Sequence, residues 1–535
     1  MGRKILFVTT DQQRYDTLGC NGGVVGRTPV IDALAASGIR YERAVPQSVV
    51  CMPSRSTMIT GQYVSTHGVW MNGVPLPVDA PSIAAELQAA GYRTALVGKA
   101  HFEPFIDPFG RFTENLVAGS GEETGWHTLA DGTRAAHRGF DHLEFATHGA
   151  NGSLHYARWL AMNHPEAIGM YYNPLDGSFN VNAAGGGASG APQVKDNPIE
   201  RDWYHTDWVA DRTIAWLDGL DAGDDWFCWM SFPDPHHPWD PPSSELGRIR
   251  PDDVPLPAGY PQDRAERERI LDAKPRHWRM WYDGTLVSNY EAPREWVPAT
   301  LTDDQVREVN ARNAIECELI DEALGRVLAA IDARGWGDDV DVIFTTDHGE
   351  LQGDFGLLFK GPYHVDALMR LPLVWRPAPA AALAPAVVSK PPASSGPRPS
   401  QHGDPRATGH PALALRLGER AQRRAVGPRG GEEVELELDA RHRARAAEVG
   451  PQQAGRDDAV MRRDDQAFDL FVRVIGERED DPVRLGACFA RAHFNAAHDA
   501  VSARRGRHLN AIALGEVALD DARQVNRLRI ERHAY

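Results

Sequence analysis

Three runs in this chain, Ile5 to Thr10, Trp226 to Phe232 and Val340 to Thr346, are built mostly from aliphatic, aromatic and β-branched residues. They do not alternate apolar with polar, so each reads as a strand buried on both faces. Strands of that kind belong to parallel sheets covered by helices on two sides. Helical patterns fill the intervals. Pro29 to Ser37 reads as a short helix, followed by a strand over Ile39 to Val45. Ser82 to Gly91 reads as a helix with a serine cap and a closing glycine, leading into a strand at Arg93 to Val97. Thr206 to Leu220 and Asp303 to Arg334 are the later helices, the second with Ile315, Leu319, Ile320, Leu324, Val327, Leu328 and Ile331 recurring mainly at three and four. This alternation implies an α/β fold with mostly parallel pairing.

Open α/β sheets place ligands beyond the carboxyl ends of their strands, and here those ends carry reactive side chains. Asp11 follows the first run. Gly98-Lys99-Ala100-His101 follows the strand at Arg93, Pro235-His236-His237-Pro238 follows Phe232, and Asp347-His348-Gly349-Glu350 follows Thr346. Lys99 and His101, two apart on an extended segment, would point to one side. Asp11, Asp347 and His348 offer two carboxylates and an imidazole, a mixed oxygen and nitrogen set that suits a divalent cation. A further stretch, Cys51-Met52-Pro53-Ser54-Arg55, sets a thiol just before a proline that can open a helix. The free N–H groups of such a helix favour an anion beside Cys51, and Arg55 adds a bidentate cation. Taken singly, each feature has an ordinary reading: a turn-forming aspartate, a solvated Lys99 or Lys360, a histidine held in a proline-rich turn, or a β-turn at Asn72-Gly73. Their joint occurrence carries the signal.

The string from Cys51 to Gly61, C-x-P-S-R followed after four residues by T-G, resembles the signature of the type I sulfatases of the alkaline phosphatase superfamily. The resemblance implies an alkaline-phosphatase-like sandwich, a large mixed and mostly parallel sheet flanked by helices. It also implies that Cys51 is oxidised to formylglycine by a formylglycine-generating enzyme, the hydrated aldehyde being the nucleophile. By the same carry-over Asp11, Cys51, Asp347 and His348 hold the metal, and Arg55, Lys99, His101, His236 and Lys360 complete the catalytic set. Lys99 would hold charge, His101 would act as base, His236 would protonate the leaving oxygen, and Lys360 would contact a substrate oxygen. Gln12 stands where many calcium sulfatases carry an aspartate, which sets Mn2+ beside Ca2+ as the expected ion. Asn72 matches a substrate-contacting asparagine of phosphonate monoester hydrolases.

The activity implied is hydrolysis of small sulfuric esters. Phosphonate monoester or phosphodiester hydrolysis on the same nucleophile is the alternative, and an inactive anion-binding relative is a third reading. At 535 residues with a formal net charge of -17, the chain does not read as a partner of nucleic acid or of an anionic membrane surface. Its five widely spaced cysteines do not read as a disulfide framework, and no segment reads as a leader or a membrane span, so the cytoplasm is the expected compartment. An oligomer is compatible with the sequence. The catalytic domain is expected over 1–376. A low-complexity Ala-, Pro-, Arg- and Gly-rich linker follows over 377–455, and 456–535 is an atypical C-terminal region whose composition suggests a shifted reading frame. The stretches 103–202 and 241–294 read as irregular loops around the mouth of the site.

Overall fold

The apolar runs become the centre of an eight-stranded sheet. The computed structural model describes residues 4–104, 112, 114, 137–148, 154–167, 169–171, 186–286 and 296–389, with three short C-terminal strands at Phe471–Ile475, Arg484–Cys488 and Arg529–Glu531. The sheet strands are β1 (Lys4–Thr10), β2 (Ile39–Ala44), β3 (Arg93–Gly98), β4 (His142–Phe145), β5 (Trp226–Ser231), β6 (Val340–Thr346), β7 (Leu371–Arg376) and β8 (Ala386–Val388). Their spatial order is β4-β3-β5-β1-β6-β7-β2-β8. The five strands from β4 to β6 run parallel, β7 is antiparallel to both β6 and β2, and β8 pairs parallel with β2. The sheet is therefore mixed and mostly parallel, as expected.

Pleating splits the central strands between two cores. Leu6, Val8, Cys228, Met230, Val342 and Phe344 face one layer of helices, whereas Ile5, Leu96, Phe227 and Trp229 face the other. Helices α1 (Pro29–Ser37), α2 (Cys51–Thr60), α3 (Ile83–Ala89), α4 (His155–Asn163), α5 (His205–Asp218), α6 (Arg264–Asp272), α7 (Arg276–Tyr282) and α8 (Asp303–Ala333) supply the layers. Helix α8 opens on a complete capping box, with Thr302 and Gln305 each satisfying the other's backbone N–H, and buries Ile315, Leu319, Leu324 and Val327 against the sheet.

Two stretches expected as irregular loops contain regular structure. The first holds β4 and α4, and the second holds α6 and α7, which carry Trp278, Trp281 and Tyr282 into a third apolar cluster. Short elements flanked by polar residues give little periodicity to read. Strand β8 extends the sheet beyond residue 376. The chain divides into two compact units, and the smaller contains a three-stranded sheet in the order β11-β10-β9, taken as Phe471–Ile475 (β9), Arg484–Cys488 (β10) and Arg529–Glu531 (β11). The expected linker from residue 390 onward, and the question of a shifted frame, lie outside the described residues. No helix among the described residues is long and apolar enough to cross a membrane.

Candidate active site

Because β3, β5, β1 and β6 are adjacent and parallel, the segments leaving their carboxyl ends share one rim. Lys99 leaves β3, His236 follows β5, Asp11 leaves β1 and Asp347 leaves β6. Helix α2 meets this rim end-on. Its first residue is Cys51 itself, two positions earlier than the proline suggested, and Pro53 takes a first-turn position where no N–H is required. The cap residue Val50 has no side chain to offer. Instead Asn72 Oδ1 accepts the N–H of Met52 at 3.0 Å, and Ser54 Oγ donates to the carbonyl of Asp347 at 2.7 Å, tying the helix to β6.

Cys51 Sγ lies 3.1 Å from His348 Nε2 and 3.7 Å from Asp11 Oδ1, and His348 Nε2 is 3.7 Å from Oδ1 of both Asp11 and Asp347. The ligand atoms of these four buried residues lie within 4.8 Å of one another. Each carboxylate is divided in function. The Oδ2 atoms face Arg55, whose Nε donates to Asp347 at 2.8 Å and whose Nη2 donates to Asp11 at 3.3 Å, while both Oδ1 atoms turn to the shared locus. His348 Nδ1 faces the carbonyl of Gly349 at 2.9 Å, which fixes the proton there and leaves the Nε2 lone pair toward the carboxylates. Burial also lowers the His348 pKa, favouring neutral imidazole. Two oxygens, an imidazole nitrogen and the residue-51 side chain converging with lone pairs make a donor set that fits one divalent cation.

Arg55 is fully buried and has spent its fork, donating also to Lys99 O and Ser231 Oγ, both at 2.8 Å. Lys99 Nζ pairs with Asp11 Oδ2. Burial alone would raise the Asp11 pKa, but Lys99, His236 and Arg55 together outweigh it and hold that carboxyl well below its usual range. The Cys51 thiol moves the other way, pushed up to about 12 by burial and by Asp11, so the unmodified side chain is not a thiolate nucleophile.

The backbone after β3 is not extended. Gly98 has φ +106°, where a Cβ would overlap the carbonyl of Ser231, and His101 has φ 58°. Lys99 and His101 nonetheless line one cavity, but through this tight turn rather than through strand alternation. Glu114 accepts the N–H groups of His101 and Phe102 at 3.2 and 2.8 Å, fixing the turn.

Lys360 Nζ donates to Gln12 Oε1 at 2.6 Å and faces His236 Nε2 at 2.7 Å. Gln12 Nε2 reaches Glu350 and His237 Nδ1, and its backbone N–H donates to Asp347 Oδ1 at 3.1 Å. The Gln12 side-chain amide thus lies among Lys360, Glu350 and His237, next to the metal-type cluster that its backbone N–H touches. Asn72 likewise serves the α2 terminus in addition to its turn. Burial raises Glu350 to about 7.

His148 joins the site without having been anticipated. It stands 2.7 Å from Lys99 Nζ, stacks on His236 with ring centroids 3.7 Å apart, and has its pKa held well below normal by burial, His236 and Lys99. Its signal was available: it follows β4 as Asp11 follows β1. The four-residue strand was too short to read.

The Sulfatase family profile matches residues 3–395, well over half of the 535. The multifunctional alkaline phosphatase superfamily protein PehA of Trinickia caryophylli is 28% identical over 382 residues, covering 70% of this chain and 68% of that protein. An arylsulfatase of Clostridium perfringens is 25% identical over 375 residues, covering 69% and 67%. Among solved structures, the phosphonate monoester hydrolase of Agrobacterium radiobacter superposes with a TM-score of 0.56 at 25% identity, covering 72% of this chain and 70% of that one. The strand-end chemistry, the mixed sheet and these matches agree: the chain belongs to the sulfatase family, enzymes that hydrolyse sulfuric esters.

Proposed function

We propose that this protein hydrolyses small sulfuric esters through formylglycine generated from Cys51 by a formylglycine-generating enzyme, with one divalent cation, Ca2+ or Mn2+, held by Asp11, Asp347, His348 and the modified residue 51. The observation that carries the reading is the convergence of Cys51 Sγ, both Oδ1 atoms and His348 Nε2 within 4.8 Å at the positive end of α2. The modification would supply an aldehyde hydrate as nucleophile, and the cation would lower a hydroxyl pKa and neutralise a sulfuryl oxygen.

The chain's own residues do the remainder. Arg55 balances the two carboxylates and fixes their orientation. Lys99 and Lys360 flank the locus and offer N–H groups to the non-bridging oxygens, whose charge persists through transfer. His101 is the base assigned to deprotonate the residue-51 side chain. His236 Nδ1 is committed to the carbonyl of His237, so the proton for the departing alcohol oxygen leaves from Nε2, which shares it with Lys360. The proposed catalytic unit spans 1–376 with β8 appended, and Cys20, Cys228 and Cys317, free thiols beside the modified residue 51, suit the cytoplasm.

Phosphonate monoester or phosphodiester hydrolysis is the second reading, favoured by Gln12 in place of an acidic residue and by the Agrobacterium structure. Comparing kcat/KM for 4-nitrophenyl sulfate and a phenyl phosphonate monoester on one preparation decides between them. Faster sulfate turnover is expected; faster phosphonate turnover reverses the order. No turnover of either by soluble, metal-loaded protein leaves the inactive anion binder.

A further inference from the structure

Two lysine and histidine pairs stand side by side at the rim. Lys99 Nζ is 2.7 Å from His148 Nε2, and Lys360 Nζ is 2.7 Å from His236 Nε2. The Lys99 ammonium has only protons to give, so His148 Nε2 accepts, whereas Lys360 Nζ and His236 Nε2 hold one proton between them. The two rings lie nearly parallel, with centroids 3.7 Å and planes 16° apart. His148 therefore touches one group that would bind the sulfuryl oxygens and one that would protonate the leaving oxygen.

We propose that His148 is a positioning residue for sulfuryl transfer, orienting Lys99 through Nε2 and setting the plane of His236 through its ring face. The inference rests on the sulfuric-ester reading above. A lysine side chain gives up much rotamer freedom when held in one geometry, so fixed partners must hold it. Lys99 has two, Asp11 Oδ2 and His148 Nε2, which take two of its three protons and aim the third. His236 has a parallel need. When the ester S–O bond breaks, its electron pair stays on the alcohol oxygen, and that oxygen takes from Nε2 the proton shared with Lys360, leaving imidazole and amine both neutral. The transfer succeeds only if the ring plane contains the line between the two atoms. His148 covers one face of the His236 ring and His237 packs beside it at 4.0 Å, which restricts that plane.

Two substitutions separate the two contacts. His148→Phe keeps a ring against His236 but removes the acceptor for Lys99. His148→Gln keeps an acceptor but removes the ring. With a series of aryl sulfates running from nitrophenol to phenol as leaving groups, the Phe variant should lose about tenfold to a hundredfold in kcat/KM evenly across the series. It should also lose the rise in melting temperature that inorganic sulfate gives the wild type. The Gln variant should keep the sulfate-induced rise, and its loss should grow as the leaving group becomes poorer, the signature of impaired protonation. Variants within about twofold of wild type throughout, or both losing evenly, overturn the proposal. Variants that no longer melt cooperatively also overturn it, since His148 would then serve the fold. If the wild type turns over none of these esters, the sulfuric-ester reading has failed, while the sulfate-induced rise still decides whether His148 holds Lys99.

Discussion

Arg55 is the residue on which the charge balance of the site turns. It has no exposed surface and contacts both carboxylates of the metal-type cluster, so its removal strands the buried Asp347 and leaves Asp11 to Lys99. Deleting one partner of a buried ion pair costs about 3–5 kcal/mol, because the charge left behind has neither water nor counterion. Arg55→Ala should therefore lower the denaturant midpoint steeply and abolish turnover. Arg55→Lys keeps the charge but not the fork, and should retain more stability than activity. Chemical denaturation followed by fluorescence, with ester turnover on the same samples, measures both. Cys51 supports a second expectation at this scale. It is 1% exposed with a raised pKa, so native protein should resist thiol reagents at this position. In denaturant the unmodified chain should titrate five thiols and the converted chain four, as Cys51 loses its sulfur. A count of five from active enzyme would remove formylglycine from the mechanism.

Helices α1 and α2 both lack a side-chain cap of their own and borrow one from a distant part of the chain. For α2 the capping acceptor is Asn72 Oδ1; for α1 it is Asp321 on α8, whose carboxylate accepts the N–H groups of Ile31 and Val30 at 2.8 and 3.0 Å. Asn72→Ala should cost about 1 kcal/mol, the usual worth of an N-terminal cap, whereas Asn72→Asp keeps the acceptor and most of that stability. Thermal melts of the two variants test this. Asp321 has its pKa raised to about 6, chiefly by burial, with Asp32 and Glu322 adding to the rise. Its folded value exceeds its unfolded one, so the folded state binds the proton more tightly. The contribution is present below the ordinary carboxyl pKa of about 3.9 and is lost as pH rises through about 6. Denaturant midpoints taken from pH 4 to 6 should show this decline, and Asp321→Asn should flatten it. Borrowed caps explain why element positions were legible in the sequence while their fastenings were not. Helical pattern placed α1 to the residue and α8 to within one, and a mostly apolar and β-branched run placed β6 to the residue. The start of α2 and the role of Asn72 depend on contacts between residues that no local pattern joins. His148 was hidden for a related reason, because its strand is too short to announce itself.

At the scale of the molecule, the sheet gathers the chemistry. All eight strands and every proposed site residue from Asp11 to Lys360 lie between Lys4 and Val388, and the family match ends at residue 395. The tail contributes none of these side chains, and its composition offered no pattern from which a site could be read. A chain ending at residue 395 should therefore fold cooperatively and keep the kcat/KM of the full protein. Strand β8 sets the limit of such trimming. It covers the edge of β2 through Ile39 with Ala386 and Tyr41 with Val388, and a chain ending at residue 380 would leave that edge unpaired. Unpaired edges recruit other chains, so this shorter protein should melt lower and elute as higher oligomers on size exclusion. Exposed apolar groups near the cut, Leu383 at 47% and Val387 at 55%, bear on the longer chain as well. If the chain ending at 395 associates yet turns over substrate normally, residues beyond it protect the sheet edge and nothing more. If it folds but has lost turnover, the C-terminal region completes the catalytic cavity, and the site cannot be built from the strand ends alone.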